Sequence, residues 1–115
     1  AFAPDGWHLP SDEEWLELEA HLGMPLEELD IYGTRGHSPG ELLRPARGIG
    51  FNSIFSGYYN HCADGFGHIA YESHYWTSST NADNKVIIRI VDNHGGIIRL
   101  ATICHGGCSV RYIKD

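Results

Sequence analysis

The chain has little positive charge, no extended apolar run and almost no methionine. Its 8 lysines and arginines face 15 acidic residues, which gives a net charge of −7 with neutral histidines. This deficit of positive charge argues against sequence-independent electrostatic binding to nucleic acid or anionic lipid. The aliphatic run Val86–Ile88 is interrupted by Arg89, whereas a membrane-spanning helix needs about 18 apolar residues in a row. We therefore expect no nucleic-acid partner and no transmembrane segment in this chain.

The beginning of the chain lacks the features of an export signal. No basic stretch and no apolar core follow Ala1, and the single methionine is Met24. We expect a processed or trimmed piece of a longer exported protein, from which any signal has been removed. With 115 residues, 42% of them hydrophobic, the chain has apolar material for one core. We therefore expect a single domain over residues 1–115.

A helix is predicted near the N-terminus. Ser11 and Glu14 form a capping box, in which the Ser11 hydroxyl accepts from the Glu14 amide and the Glu14 carboxylate accepts from the Ser11 amide. The helix should therefore begin at Asp12 and be stopped by Gly23. Its buried stripe follows the three- and four-residue spacing of large apolar side chains, which are Trp15, Leu18 and Leu22.

The remainder of the first 50 residues is acidic and weakly patterned. Pro25 and the spacing of Leu26 and Leu29 predict a short second helix over 25–31, with both leucines facing one way. Residues 1–45 hold ten acidic side chains against two arginines, and we interpret this excess as a solvated helical surface. Residues 32–50 are rich in glycine and proline, which indicates a long irregular segment.

The C-terminal half predicts an antiparallel sheet. The apolar runs Val86–Val91 and Ile97–Ile103 are separated by the glycine-bearing segment Asp92–Gly96, which is a β-hairpin pattern. A third run, Ser109–Ile113, follows a turn at His105–Gly107 and should continue the antiparallel meander. Helices first and a glycine-punctuated sheet afterwards give an α+β fold class.

Four segments of the sequence resemble one bacterial family. The most specific is the opening Gly6–Trp15, which reads GWHLPSDEEW. The others follow in chain order and are Gly50–Ile54 with Gly57-Tyr58, Tyr75–Ser79, and Ser109–Arg111 with Lys114-Asp115. Over nearly its whole length the chain is thus similar to the Fibrobacter succinogenes major paralogous domain family. Leu9-Pro10 followed by Glu14-Trp15 also resembles the C-type lectin-like and formylglycine-generating folds.

The resemblance implies a C-type lectin-like fold, with one or two N-terminal helices packed on a small twisted antiparallel sheet with long loops. It implies an exported domain of a bacterial surface protein or lipoprotein, and binding rather than catalysis. The ligand is not implied, because long loops present different side chains on the same scaffold. We expect the indole side chains to fill the core, namely Trp7, Trp15 and Trp76.

A ligand surface is predicted where aromatic and polar residues lie among glycines and at strand ends. Glycine lets the backbone bend, so that neighbouring rings can project outward. We expect an extracellular or cell-surface adhesion module whose glycan or protein ligand contacts Tyr58, Tyr59, His61, Asp64, His94 and His105. The alternative is a structural bead of a larger surface lipoprotein, without a ligand of its own.

No cofactor is expected. The tripeptides that hold calcium in sugar-binding C-type lectins, Glu-Pro-Asn and Trp-Asn-Asp, are absent from the sequence. Asp83-Asn84 and Asp92-Asn93 offer oxygen ligands to calcium, but such pairs are more typical of turns. Calcium is therefore kept only as an alternative.

The three cysteines leave two disulfide pairings and a metal site open. Cys104 and Cys108 flank a three-residue segment, and a hairpin loop there brings them within bridging distance. Alternatively, Cys62 pairs with one of them and closes a loop of about 40 residues. In the chain-entropy model such a disulfide stabilises the fold by roughly 4 kcal/mol. Either pairing leaves one thiol over. Zinc is the third alternative, with Cys62, Cys104, His105 and Cys108 as its soft ligands.

A cysteine- or metal-dependent enzyme is the second functional alternative. Enzymes of the formylglycine-generating fold use paired cysteines near the C-terminus, and Cys104 and Cys108 lie in a comparable region. Relatives of the family often carry cysteines at the positions of Ala3 and Tyr112, so the disulfide pattern of the family is not implied for this chain. The sequence has no phosphate loop, metalloprotease helix or nucleophile elbow. We therefore expect no catalytic residues.

Overall fold

The computed structural model describes the chain at residues 3–36, 39–43, 51, 53–55, 57–60, 65–67, 71–92, 95–102 and 106–115. Helix α1 spans Asp12–His21, a 3-10 turn spans Leu26–Glu28, and the single-turn helix α2 spans Pro39–Leu42. The strands are β1 (Trp7–His8), β2 (Gly33–Arg35), β3 (Tyr58–Asn60), β4 (Gly65–Gly67), β5 (Glu72–Thr80), β6 (Val86–Asp92), β7 (Ile97–Thr102), β8 (Gly106–Gly107) and β9 (Ile113–Lys114).

The strands form three small antiparallel sheets, which confirms the α+β class. The largest sheet has the order β2-β7-β6-β5, the second has the order β4-β3-β8, and β1 pairs with β9. The β1–β9 pair places residues near the two chain ends side by side, since Trp7 lies opposite Lys114. In the described part of the chain, no helix is long and apolar enough to span a membrane.

Helix α1 begins and ends as its sequence predicts. The Ser11 hydroxyl accepts from the Glu14 amide at 3.1 Å, and the Glu14 carboxylate accepts from the Ser11 amide at 3.0 Å, so the capping box is complete. At the other end, Gly23 adopts a φ of +96°, a left-handed conformation that favours glycine. The Met24 amide then donates to the Glu19 carbonyl at 3.0 Å. The backbone therefore leaves the helix through a glycine-dependent C-terminal cap.

The region after α1 contains less helix and more strand than the sequence predicts. The predicted second helix over 25–31 is wrong: a 3-10 turn covers Leu26–Glu28, and Leu26 is 77% exposed while Leu29 packs against the core. The predicted irregular segment contains β2 and α2. Strand β2 was missed because it is only three residues long and is stabilised by a distant partner, with Arg35 opposite Ile97.

The central β-hairpin is confirmed, but the predicted third strand of the meander is wrong. β6 and β7 pair from Val86 opposite Thr102 to Val91 opposite Ile97. After β7 the chain leaves this sheet: Gly106 and Gly107 form β8 beside β3 instead of a turn, and β9 pairs with β1. Ser109 makes a parallel bridge to Tyr75 on β5. The last residues therefore connect three sheets, which no local pattern in the sequence reveals.

Three aromatic rings form the centre of the core between α1 and the large sheet. The ring centroids of Trp15, Phe51 and Tyr75 are each 5.8 Å apart, within the range of favourable aromatic packing. The Tyr75 hydroxyl is 2.7 Å from the Ser53 hydroxyl. The prediction that all three tryptophans fill the core is correct only for Trp15. Trp7 is 44% exposed and Trp76 is half-buried, because both lie on strands with one side toward solvent.

Charged side chains, rather than apolar ones, connect α1 to the large sheet. The helix buries Asp12 and Glu19 on the same side as Trp15, so the interpretation of its acidic residues as a solvated surface is wrong at these two positions. Their partners are three arginines from β2, β6 and β7. We call the five side chains the buried charge network, whose members are Asp12, Glu19, Arg35, Arg89 and Arg99, all less than a tenth exposed.

The buried charge network alternates in sign from one end to the other. The Glu19 carboxylate accepts from Arg35 at 2.5 and 3.2 Å and from Arg89 at 2.9 and 3.2 Å. Arg99 donates to Asp12 at 2.6 and 3.1 Å, and Arg89 Nη1 lies 2.8 Å from Asp12 Oδ1 without hydrogen-bond alignment. Arg89 and Arg99 are direct cross-strand neighbours, a pairing of like charges that is unfavourable on its own. The helix carboxylates therefore make this arrangement of the sheet possible.

Candidate functional site

The strand that carries two predicted ligand contacts is paired with a glycine strand from near the end of the chain. Tyr58 and Tyr59 lie on β3, where Tyr59 pairs with Gly107 and Asn60 with Gly106 of β8. The segment that precedes Cys108 therefore reaches the strand that carries the tyrosines. Several predicted residues lie outside the described residues, so their prediction stays untested; they are His61, Cys62, Asp64, His94, Cys104 and His105.

Tyr58 is held in place by a histidine from the neighbouring sheet. Its ring stacks on His74 with 4.3 Å between centroids and 19° between planes. His74 Nε2 in turn lies 2.7 Å from a carboxylate oxygen of Glu72. On β4, a Cβ atom at Gly67 would lie 3.2 Å from the Tyr58 ring, which explains the glycine there. Tyr58 is thus a half-buried, positioned ring rather than one projecting freely into solvent.

Of the predicted cysteine and metal ligands, Cys108 is the one that lies within the described residues. Cys108 is half-buried and follows β8, while the proposed partners lie outside the described ranges. Gly106 and Gly107, two of the three residues between Cys104 and Cys108, form strand β8. Within the described ranges, no three metal-binding side chains come together. Asp83-Asn84 lies in a turn in which the Asn81 side chain accepts from two backbone amides.

A second charged group lies where the chain ends meet. His8 Nε2 is 2.7 Å from the Glu14 carboxylate, and His8 Nδ1 is 2.7 Å from the Asp115 carboxylate. We call His8, Glu14 and Asp115 the terminal cluster. Hydrogen bonds to Glu14 and then to Asp115 raise the pKa of His8. The Ser11 amide and then His8 lower the pKa of Glu14.

Exposed Trp7 lies beside the terminal cluster. It lines an open hollow together with Leu9, Ser78 and the side chains of His8 and Glu14. A partly exposed indole next to charged groups is a surface that contacts ligands in many proteins. The prediction that Trp7 fills the core is wrong, and no pattern in the sequence indicates this hollow.

A deeper cleft opens on the other side of Glu14. Its volume is about 340 Å³, and helix α1, Phe51 and the C-terminal segment form its walls. The described lining residues are Pro10, Glu14, Trp15, Leu18, Phe51, Arg111, Tyr112 and Ile113. The guanidinium carbon of Arg111 lies 4.3 Å from the centre of the Phe51 ring. This cleft, which we call the helix cleft, therefore combines apolar walls with one positive charge.

The sequence contains a signal for the pairing of Glu72 with His74 but none for the contact between Phe51 and Arg111. Glu72 and His74 are two residues apart in a strand, which places both side chains on one face, so their pairing was predictable once β5 was recognised. The contact between Phe51 and Arg111 joins residues that are far apart in the chain. Neither residue lies in a local pattern that predicts it.

The family segments of the sequence meet in the structure. The Asp12 amide donates to the Ser79 hydroxyl at 2.8 Å, and the Ser78 amide donates to the Pro10 carbonyl at 2.8 Å, so the opening segment is bonded to the serine-rich end of β5. No curated protein and no solved structure matches the chain. A family model described as the Fibrobacter succinogenes major domain matches residues 1–114. The chain therefore belongs to the Fibrobacter succinogenes major domain family.

Proposed function

We propose that the chain is a non-enzymatic extracellular binding or adhesion module of a bacterial surface protein, and that its ligand is a glycan or a protein. The proposed ligand surface is the one predicted from the sequence, with β3 as its described part. No cofactor is assigned to it. The α+β arrangement is proposed to be C-type lectin-like, which is supported by paired chain ends and by a helix packed through aromatic rings on a small sheet.

The pairing of β3 with β8 is the observation that carries this proposal. Tyr59 and Gly107 are distant in sequence but adjacent in the small sheet. β3, which follows Gly57, and β8, which follows the predicted contact His105 in sequence, are thus neighbours in one sheet. The stacking of Tyr58 on His74 fixes this strand relative to the large sheet. A fixed aromatic strand is a suitable frame for recognition, because little order is lost on binding.

The buried charge network supports the same interpretation. It gives α1 and the large sheet a fixed relative position through paired charges at Glu19 and Asp12. Loops on a fixed scaffold can vary without changing the frame. This arrangement suits a module whose family members share a frame and differ in ligand.

Binding of the isolated domain to a glycan array and to a panel of surface proteins tests the proposal, with and without EDTA. We expect at least one saturable partner, unchanged binding in EDTA, and loss of binding on alanine substitution at Tyr58, Tyr59, His61, Asp64, His94 and His105. Leu26→Ala, which truncates an exposed side chain on the 3-10 turn, is the control and should bind normally. Absence of any partner would favour the structural bead, and binding that survives all six substitutions would refute the surface.

A further inference from the structure

The helix cleft has the dimensions of a small-molecule site, and none of its described lining residues belongs to the surface proposed above. Its volume of about 340 Å³ lies at the lower end of the range for ligand pockets, which is about 300–1,000 Å³. This space accommodates one aromatic ring with a short chain rather than an oligosaccharide. Its walls are formed by elements that are fixed in the fold, since Trp15 is in the core and Phe51 packs on it.

Arg111 provides a positive charge that the described chain does not neutralise. The guanidinium group contacts the Phe51 ring, and within the described residues it has no hydrogen bond and no ion pair. Stacking on an aromatic face restrains a guanidinium while leaving its N–H groups at the edge available. Arg111 is half-buried, so an anion bound to it would be partly shielded from water and held more strongly than at an exposed arginine.

Glu14, the other charged residue among the described lining of the helix cleft, already has hydrogen-bond partners. One carboxylate oxygen of Glu14 accepts from the Ser11 amide at 3.0 Å, and the other lies 2.7 Å from His8. Glu14 therefore does not neutralise Arg111 through a direct contact. It does place a negative charge at the wall, which disfavours a ligand with two negative charges more than one with a single charge.

We propose that the helix cleft binds a small aromatic carboxylic acid. The carboxylate accepts two parallel hydrogen bonds from the Arg111 guanidinium, a geometry that the planar fork of arginine favours. The ring of the ligand packs between Leu18, Phe51 and Ile113, and its apolar surface is thereby removed from water. The class follows from the combination of one uncommitted guanidinium with apolar walls, since a neutral or cationic ligand would leave that charge without a partner.

The unmodified chain tests the proposal with three probes of graded chemistry. Hydrocinnamate carries both the ring and the carboxylate, hydrocinnamamide keeps the ring without the charge, and propionate keeps the charge without the ring. In two-dimensional amide NMR spectra, we expect saturable shifts with hydrocinnamate at Leu18, Phe51 and Arg111. Both other probes should bind at least about tenfold more weakly, because each lacks one of the two interactions.

Matched variants locate the charge that binds the probe. Arg111→Gln should weaken hydrocinnamate binding by about tenfold, whereas Lys114→Gln, which removes an exposed cation from neighbouring β9, should change it by less than about twofold. Equal affinity for the acid and its amide, unchanged binding by Arg111→Gln, or the absence of saturable shifts at these residues would each overturn the proposal. If Arg111→Gln fails to fold, the ratio between acid and amide on the unmodified chain decides alone.

Discussion

Helix α1 takes part in two charged groups that differ in their exposure to water. The buried charge network contains two helix carboxylates and three arginines, and its glutamate is fully buried. In the terminal cluster, Glu14 is about one-third exposed and His8 and Asp115 are more exposed still. Both groups use acidic residues from the same ten-residue helix. Their difference therefore comes from which side of the helix faces the sheet, and not from composition.

The comparison shows that ion pairs in one small protein differ in kind. Water screens the terminal cluster, so its pairs contribute little to the free energy of unfolding and respond to pH. In the buried charge network, burial and pairing oppose each other: burial raises the pKa of Asp12, but hydrogen bonds from Arg99 and the charge of Arg89 bring it below its usual value. Removal of one member leaves its partners charged, buried and uncompensated.

Glu19→Gln is expected to have the largest effect, because among the described residues Glu19 alone pairs with both Arg35 and Arg89. The amide keeps the shape but not the charge, so the buried guanidinium of Arg35 loses its described carboxylate partner and that of Arg89 keeps only Asp12. We expect the free energy of unfolding to fall by about 3–5 kcal/mol, measured by urea denaturation followed by circular dichroism.

Glu17→Gln is the matched control, since Glu17 is exposed on the same helix. It should change the free energy of unfolding by less than about 0.5 kcal/mol. Equal effects of the two substitutions would show that the buried charge network does not hold α1 to the sheet.

Local patterns in the sequence predicted the elements that local interactions stabilise. The Ser11–Glu14 capping box, the glycine stop after α1 and the β6–β7 hairpin all depend on neighbours in the chain, and each is confirmed. Strands β2, β8 and β9 are two or three residues long and depend on partners far away in sequence. Strands that short carry no alternation of their own, so the sequence gives no signal for their bounds or their partners.

The buried carboxylates were missed for a different reason. Asp12, Trp15 and Glu19 are spaced by three and four residues, so they follow the same helical period as an apolar stripe. A charged residue in that register is interpreted as solvated unless its partner is known. The partners of Glu19 lie on β2 and β6, and only the folded chain brings them to the helix. The same limit applies to the helix cleft, whose arginine and phenylalanine are distant in sequence.

Ser11→Ala tests the residue that lies between the two charged groups. Its hydroxyl caps the helix through the Glu14 amide, and its own amide fixes the Glu14 carboxylate that contacts His8. Loss of an N-cap hydroxyl is expected to lower the free energy of unfolding by about 1 kcal/mol, measured in the same urea experiment.

Ser78→Ala is the control for this cap, because its hydroxyl makes only a long contact of 3.4 Å to the Pro10 carbonyl. A change below about 0.5 kcal/mol is expected there. A Ser11→Ala variant as stable as this control would mean that the helix does not need its cap once it is packed on the sheet.

His8→Gln should have the smallest effect, and that effect should depend on pH. The pKa of His8 is raised above its usual value of 6.5 by hydrogen bonds to Glu14 and Asp115. Because the pKa of His8 is higher in the folded state, protonated His8 contributes fully to stability below a pH of about 6.5. This contribution is lost as the pH rises through the pKa of His8 in the folded state. At acidic pH, the contribution of Glu14 is lost as the pH falls below the usual pKa of 4.5 and through the lowered pKa of Glu14 in the folded state.

The difference in Tm between the unmodified chain and His8→Gln should therefore be largest between these limits and shrink on both sides. An NMR titration in which His8 keeps its ordinary pKa would contradict the role assigned to the terminal cluster.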